Sequence, residues 1–181
     1  MLIKGITDED FINYKVPSMY IATATCSFKC DKEYGHQICQ NSELVKQPNI
    51  DISDDAIIDR YTNNPITKAI VFGGLEPFEQ FVQLVEFIKK IRNAGVIDDI
   101  VIYTGWNKRE LENAKWDAYL VDHNGSEEYW NSERLNCIHV LQSFQNIIIK
   151  FGRYIPDQQP HFDPVLGVYL ASDNQYAERI S

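Results

Sequence analysis

No apolar run in the sequence approaches the roughly 18 to 20 residues of a membrane-spanning helix. The first ten residues carry Lys4, Asp8, Glu9 and Asp10 and no apolar h-region, so they do not read as a secretory signal. Basic residues are scarce, with 17 Lys and Arg against 26 Asp and Glu for a net charge of -9. That balance argues against a nucleic-acid binder, because phosphate contacts need a basic surface. The acidic excess itself reads as a solvated surface rather than a docking patch. Internal repeats and low-complexity tracts are missing as well. A cytoplasmic protein with no membrane and no nucleic-acid partner is therefore expected. Cysteine is sparse, at 4 residues. In a reducing compartment these cysteines point to metal binding, redox chemistry or burial rather than to disulfides.

What is present suffices for a folded core: 181 residues, 44% hydrophobic and 12% aromatic. A single domain over residues 1–181 is expected. Short apolar runs alternate with helical stretches. Residues 18–25 read as a strand ending at Cys26, and residues 26–41 as a loop holding three of the four cysteines. Ser53 is an N-cap for a helix through Ile57, Ile58 and Tyr61. Residues 68–72 form a second strand closed by Gly73 and Gly74. Residues 79–93 have the helical period, with Gly95 at the C-cap. Residues 100–103 form a third strand, 108–114 start a helix, 116–121 suggest a fourth strand, and 122–136 are polar with room for a short helix. Residues 146–151 form a further strand, and 167–171 and 176–180 two short closing strands. Near-continuous apolar strands alternating with helices imply a mainly parallel sheet covered by helices. In such folds functional residues gather at the carboxyl ends of strands. Cys26, Gly73-Gly74, Thr104-Gly105 and Gly152 all follow strand ends and are expected on one rim.

Cys26, Cys30 and Cys39 have the spacing C-x3-C-x8-C, with His36 in the second gap. Three thiols on one loop can converge on one centre, and thiolates ligate both zinc and iron-sulfur clusters. Zinc would take His36 as fourth ligand, making a zinc-binding interaction module of Cys26, Cys30, His36 and Cys39. A cluster with three protein ligands leaves one iron open for chemistry. Spacing alone does not decide between them. His36 also reads as a plain surface residue. His123, His139 and His161 form no spacing pattern, and Cys137, alone on an apolar stretch, reads as a buried thiol.

The run CSFKCDKEYGHQICQNSEL resembles the cluster loop of radical S-adenosylmethionine (AdoMet) activating enzymes, most closely that of the anaerobic ribonucleotide reductase activases. Their loop is C-x3-C-x2-C, so six residues are added here between Cys30 and Cys39. Four further segments agree in order. Gly73-Gly74-Leu75-Glu76-Pro77 resembles Gly-Gly-Glu-Pro. Residues 102–106 resemble the Tyr-Thr-Gly-aromatic strand end, 148–154 the apolar strand before a Gly-Arg turn, and 171–175 the Ser-Ser-Asn-Gln close. The longer loop does not forbid a cluster. Loop closure costs about 0.6 kcal/mol per doubling, roughly 1.2 kcal/mol here, against metal binding on the order of 10 kcal/mol.

The resemblance implies a partial (β/α) barrel of the radical AdoMet type, with mainly parallel strands and helices outside. It implies a [4Fe-4S] cluster on Cys26, Cys30 and Cys39, the catalytic and metal residues. S-Adenosyl-L-methionine would chelate the open iron and be cleaved reductively to a 5'-deoxyadenosyl radical. The substrate implied is a protein partner, a glycyl-radical enzyme such as anaerobic ribonucleotide reductase. Another peptide or a small molecule is the alternative. The electron donor implied is a flavodoxin or ferredoxin. Gly73 and Gly74 would let the backbone approach AdoMet, or simply turn the chain into a helix with Pro77 at its first position. Glu76 would accept from the AdoMet amino group. Tyr103 and Thr104 would contact its ribose or carboxylate, or merely end a strand. Ile38 would pack on the adenine, or be a core contact. Lys150 would face the carboxylate, or be a solvated, snorkelling lysine. Asn174 would lie near the cofactor, or close an Asx turn.

Overall fold

A computed structural model describes residues 1–113 and 136–181 of the chain. The strand expected over 116–121, most of the 122–136 stretch and His123 lie outside the described residues.

Six strands make the main sheet: β1 (Ile3–Asp10), β2 (Ser18–Thr23), β3 (Ala69–Gly74), β4 (Asp99–Tyr103), β5 (Ile147–Phe151) and β8 (Tyr176–Arg179). They lie in the order β1-β2-β3-β4-β5-β8. Pairing is parallel from β2 through β5 and antiparallel at both edges, β1 on β2 and β8 on β5. The parallel strands carry apolar residues on both faces, and β5 is buried at all five positions. Ile70, Phe72, Ile100, Ile102, Ile147 and Ile149 pack on one face against helices α2 (Asp54–Thr62), α3 (Phe81–Asn93) and α5 (Cys137–Gln142). Phe72 and Phe87 meet edge to face at 5.4 Å. Each fully buried side chain of this size contributes roughly 1.5–3 kcal/mol. On the opposite face Val71, Val101 and Ile148 pack with Tyr14, Leu166 and Leu170. Leu170 belongs to a separate hairpin of β6 (His161–Asp163) and β7 (Val168–Leu170).

Several expectations are met. Ser53 caps α2 by accepting from the Ala56 N–H at 3.2 Å. Gly95 takes a φ of 83° just past α3, where a left-handed residue ends the helix. Cys137 is buried. Others are corrected. The first ten residues hold strand β1, whose charged alternation hides it from an apolar search; such charge suits an edge strand. The cysteine loop is not all loop, since α1 (Lys29–Tyr34) lies inside it and is capped by Gly35 at φ 72°. The helix expected from residue 79 begins with a 3-10 turn at Pro77–Gln80 before α3. The two closing strands part company: β7 pairs with β6, and β8 runs antiparallel in the main sheet.

Candidate functional site

The carboxyl ends of β2, β3, β4 and β5 open onto one cleft of about 370 Å³. That volume falls in the range of small-molecule and cofactor sites. Cys26, Cys30 and Cys39 line it, with Ile38 between the last two. Gly73, Gly74, Glu76, Tyr103, Thr104 and Lys150 line it too. Asn174 does not: its Nδ2 donates to the Arg153 carbonyl at 3.0 Å behind Gly152. Gln175 reaches the cleft instead. Its Oε1 accepts from the Ala171 and Ser172 N–H groups, and its Nε2 donates to the Gly152 carbonyl at 3.2 Å.

The cysteine segment is built by local bonds. The Glu76 N–H donates to the Thr25 carbonyl at 2.8 Å, tying the turn after β2 to the turn after β3. Phe28, at φ 51°, then bends the chain into α1, and its N–H donates to Cys26 Sγ at 3.3 Å. Cys30 is the second residue of α1. The chain returns past Gly35, where Asp31 Oδ1 accepts from the Ile38 and Cys39 N–H groups at 2.8 Å each. Burial pushes the Cys26 thiol up to about 12. Burial, then the neighbouring Cys39 and Asp31, pushes Cys30 up to about 11. A metal would therefore displace protons from these thiols on binding.

Two donor sets were open. His36 is exposed and does not line the cleft, with Nδ1 at 3.1 Å from the Tyr34 carbonyl oxygen. Among the described residues no three His, Cys, Asp or Glu side chains converge as ligands of one ion. Mononuclear zinc needs that convergence. A four-iron cube instead spaces its protein thiolates around its own width, and three half-exposed thiols along one cleft suit it.

The same cleft holds a buried polar group. Glu76 Oε1 accepts from Thr104 Oγ1 at 2.8 Å and from the Phe78 N–H at 3.1 Å; its Oε2 accepts from the Gly105 N–H at 2.9 Å. Burial raises its carboxyl to about 7 against the pull of these donors. Lys150 is not the snorkelling lysine of the ordinary reading. It is buried, donates to the Gly152 carbonyl at 2.7 Å, and stands 5.9 Å from the Tyr103 ring centroid. Burial lowers it to about 7, opposed by the charge of Glu76. The Tyr103 hydroxyl donates to the Asn13 carbonyl at 2.6 Å. The glycines have internal reasons to be glycine. A Cβ on Gly73 would lie 2.7 Å from the Tyr20 hydroxyl, and one on Gly74, at φ 80°, 2.9 Å from the backbone of Ala22.

Sequence reasoning missed an ion network at the mouth of the cleft. Glu110, on α4 (Lys108–Asn113), accepts from Lys29 Nζ at 2.6 Å and from Arg153 Nη2 at 2.8 Å. Arg153 Nε lies 3.5 Å from Glu33. Burial alone would raise the Glu110 carboxyl, but the bonds from Arg153 and Lys29 outweigh it and hold it near 2. Ile12, Asn13 and the hairpin residues Val168, Tyr169 and Leu170 complete the wall and were also missed. Apart from the arginine of the Gly152-Arg153 turn, none carries a motif.

No curated protein and no solved structure matches the chain. A family model described as "4Fe-4S single cluster domain" matches residues 17–132, well over half of the sequence. The match takes in β2 through β4 and all three cleft cysteines and stops short of Cys137. The thiol-lined cleft and that match agree, and the chain belongs to the 4Fe-4S single cluster domain family.

Proposed function

We propose that Cys26, Cys30 and Cys39 hold a [4Fe-4S] cluster with one iron free of protein ligands, and that S-adenosylmethionine binds beside it. The enzyme is then a radical AdoMet oxidoreductase of the activating type, on a partial (β/α) barrel. It works in the cytoplasm and installs a glycyl radical on a protein such as anaerobic ribonucleotide reductase, with flavodoxin or ferredoxin as electron donor. The observation that carries this reading is one cleft shared by the three thiols and by strand-end segments that resemble those of the activases in order.

Together the cluster and AdoMet supply one-electron cleavage of a sulfonium and, from it, hydrogen-atom abstraction. The protein supplies the setting. Glu76, held by three donors, presents a fixed acceptor to a cationic amino group. Lys150 offers buried positive charge to a carboxylate. Ile38 gives an apolar wall, and Gly73 and Gly74 line the cleft with backbone. Ile12 and Tyr169, exposed at the rim, leave room for a partner segment to enter. The same geometry serves another peptide substrate equally, and the choice of glycine rests on the resemblance.

Anaerobic reconstitution tests the reading. The protein should take up about four iron and four sulfide per chain. Reduced, it should give an electron paramagnetic resonance signal that changes when AdoMet is added. Cys26→Ala, Cys30→Ala and Cys39→Ala should each abolish the signal, whereas His36→Ala should leave it. Colourless protein with one zinc, lost in His36→Ala, would overturn the reading.

A further inference from the structure

We propose that Asp31 is the positioning residue that closes the lengthened cysteine loop and sets Cys39 beside Cys30. The inference deepens the cluster reading and rests on it for the ligand role of the two cysteines. Eight residues separate them. Helix α1 carries the chain away from Cys30 by about 1.5 Å per residue. Gly35, at φ 72°, reverses it. Nothing in the reversal itself determines where the returning chain stops.

One oxygen does. Asp31 Oδ1 accepts from the N–H groups of both Ile38 and Cys39 at 2.8 Å, seven and eight residues on. The same oxygen lies 3.8 Å from Cys30 Sγ. It is thus the shared neighbour of one thiol and of the other cysteine's amide. An acidic residue in a first helical turn ordinarily faces its own helix end; here the acceptor is spent on the returning chain. Other ties on this stretch are longer or exposed: Gln37 bonds to Ser42, the Ser42 N–H reaches the Cys39 carbonyl at 3.3 Å, and Asn41 Nδ2, two residues past Cys39, donates to the Gly74 carbonyl at 2.7 Å on the exposed side. The start of α1 is itself anchored by Lys29 on Glu110. Asp31 therefore passes a fixed position on to Cys39.

The test uses the full-length protein, first without iron. Phenylarsine oxide bridges two thiols only when they are close, and digestion with mass spectrometry locates the bridge. Asp31→Ala removes two charge-assisted bonds and should lower bridging of Cys30 to Cys39 by about tenfold. Asp31→Asn keeps an oxygen acceptor and should stay within about threefold of the native protein. Iron uptake on reconstitution should follow the same order. Bridging in Asp31→Ala equal to that of the native protein, or Asp31→Asn falling as low as Asp31→Ala, overturns the proposal. Should Asp31→Ala fail to fold, hydrogen exchange of the native protein decides. The Ile38 and Cys39 amides should exchange more slowly than the Gln40 amide, and equal rates overturn the proposal. Failure of the cluster reading looks different: the native protein takes no iron while the bridging order holds, and the loop-closing role of Asp31 stands.

Discussion

Gly74 shows how one residue answers to two demands. Its φ of 80° lies in the left-handed region, and its missing Cβ makes room for the Ala22 backbone and Leu44. Gly74→Ala should therefore destabilise the protein by at least about 1–2 kcal/mol from backbone strain alone. A urea titration would read this as a lower midpoint at unchanged slope. A result indistinguishable from native would mean that β2 and β3 can part at this point. Lys150 makes the complementary case. Its ammonium is buried, yet its bond goes to a carbonyl two residues on, and the charge of Glu76 only partly offsets its burial. Read as sequence it is one lysine at the end of an isoleucine run. Its burial comes from β4 and β8 on either side, the Tyr103 ring nearby and Gly152 beyond.

Among the elements, α1 has no buried residue of its own and depends on its charges. Lys29 joins it to Glu110 on α4, and Glu33 joins it to Arg153 after β5. Such pairs are worth about 0.2–1 kcal/mol each when exposed, more as a network with partly buried members. Glu110→Gln should cost about 1 kcal/mol or less in global stability. It should nonetheless speed hydrogen exchange across residues 29–34 well above the rest of the chain. Uniform exchange would show that α1 does not need the clasp. The sign with pH follows from Glu110 lying near 2, below an ordinary carboxylate. Its contribution is present above the ordinary carboxylate value and is lost as pH falls toward 2. Native and Glu110→Gln proteins should thus converge in exchange rate under acid.

For the whole molecule, the polar group buried at the foot of the cleft shapes the dependence of stability on pH. Glu76 titrates near 7 in the folded chain, above its ordinary value. The folded state then binds the proton more readily, so this contribution is full below the ordinary carboxylate value and is lost as pH rises toward 7. Lys150, near 7 and below its ordinary value, contributes fully in alkali and loses that as pH falls toward 7. The melting temperature of the metal-free protein should therefore fall between pH 5 and pH 7, and Glu76→Gln should flatten that fall. An equal slope in the variant would show that Glu76 is not the group responsible.

How much was legible varies by kind of residue. Strands β2 to β5 announced themselves because parallel strands buried on both faces must be apolar throughout. β1 was hidden because an edge strand can be charged and still pair. Of the eleven residues singled out for cluster and cofactor, ten line one cleft: most end or directly follow a strand of one parallel set, and Cys30, Ile38 and Cys39 reach it through α1 and the chain that returns from it. Asn174 went astray because β8 is antiparallel and its preceding turn folds behind Gly152. Asp31, Glu110 and Arg153 could not be singled out, because their partners lie 7 to 81 residues away along the chain.

The sequence by itself determined the cysteine spacing, the parallel centre of the sheet and the rim on which the strand ends meet. These follow from local period, composition and the direction of strands, which neighbours in the chain dictate. Only the tertiary structure decided which thiols share a cleft, that His36 is exposed outside it, and that a carboxylate and an ammonium lie buried in the same cleft as the cysteines. Those facts depend on contacts between segments far apart in sequence, where burial and hydrogen bonding, not local preference, choose the arrangement.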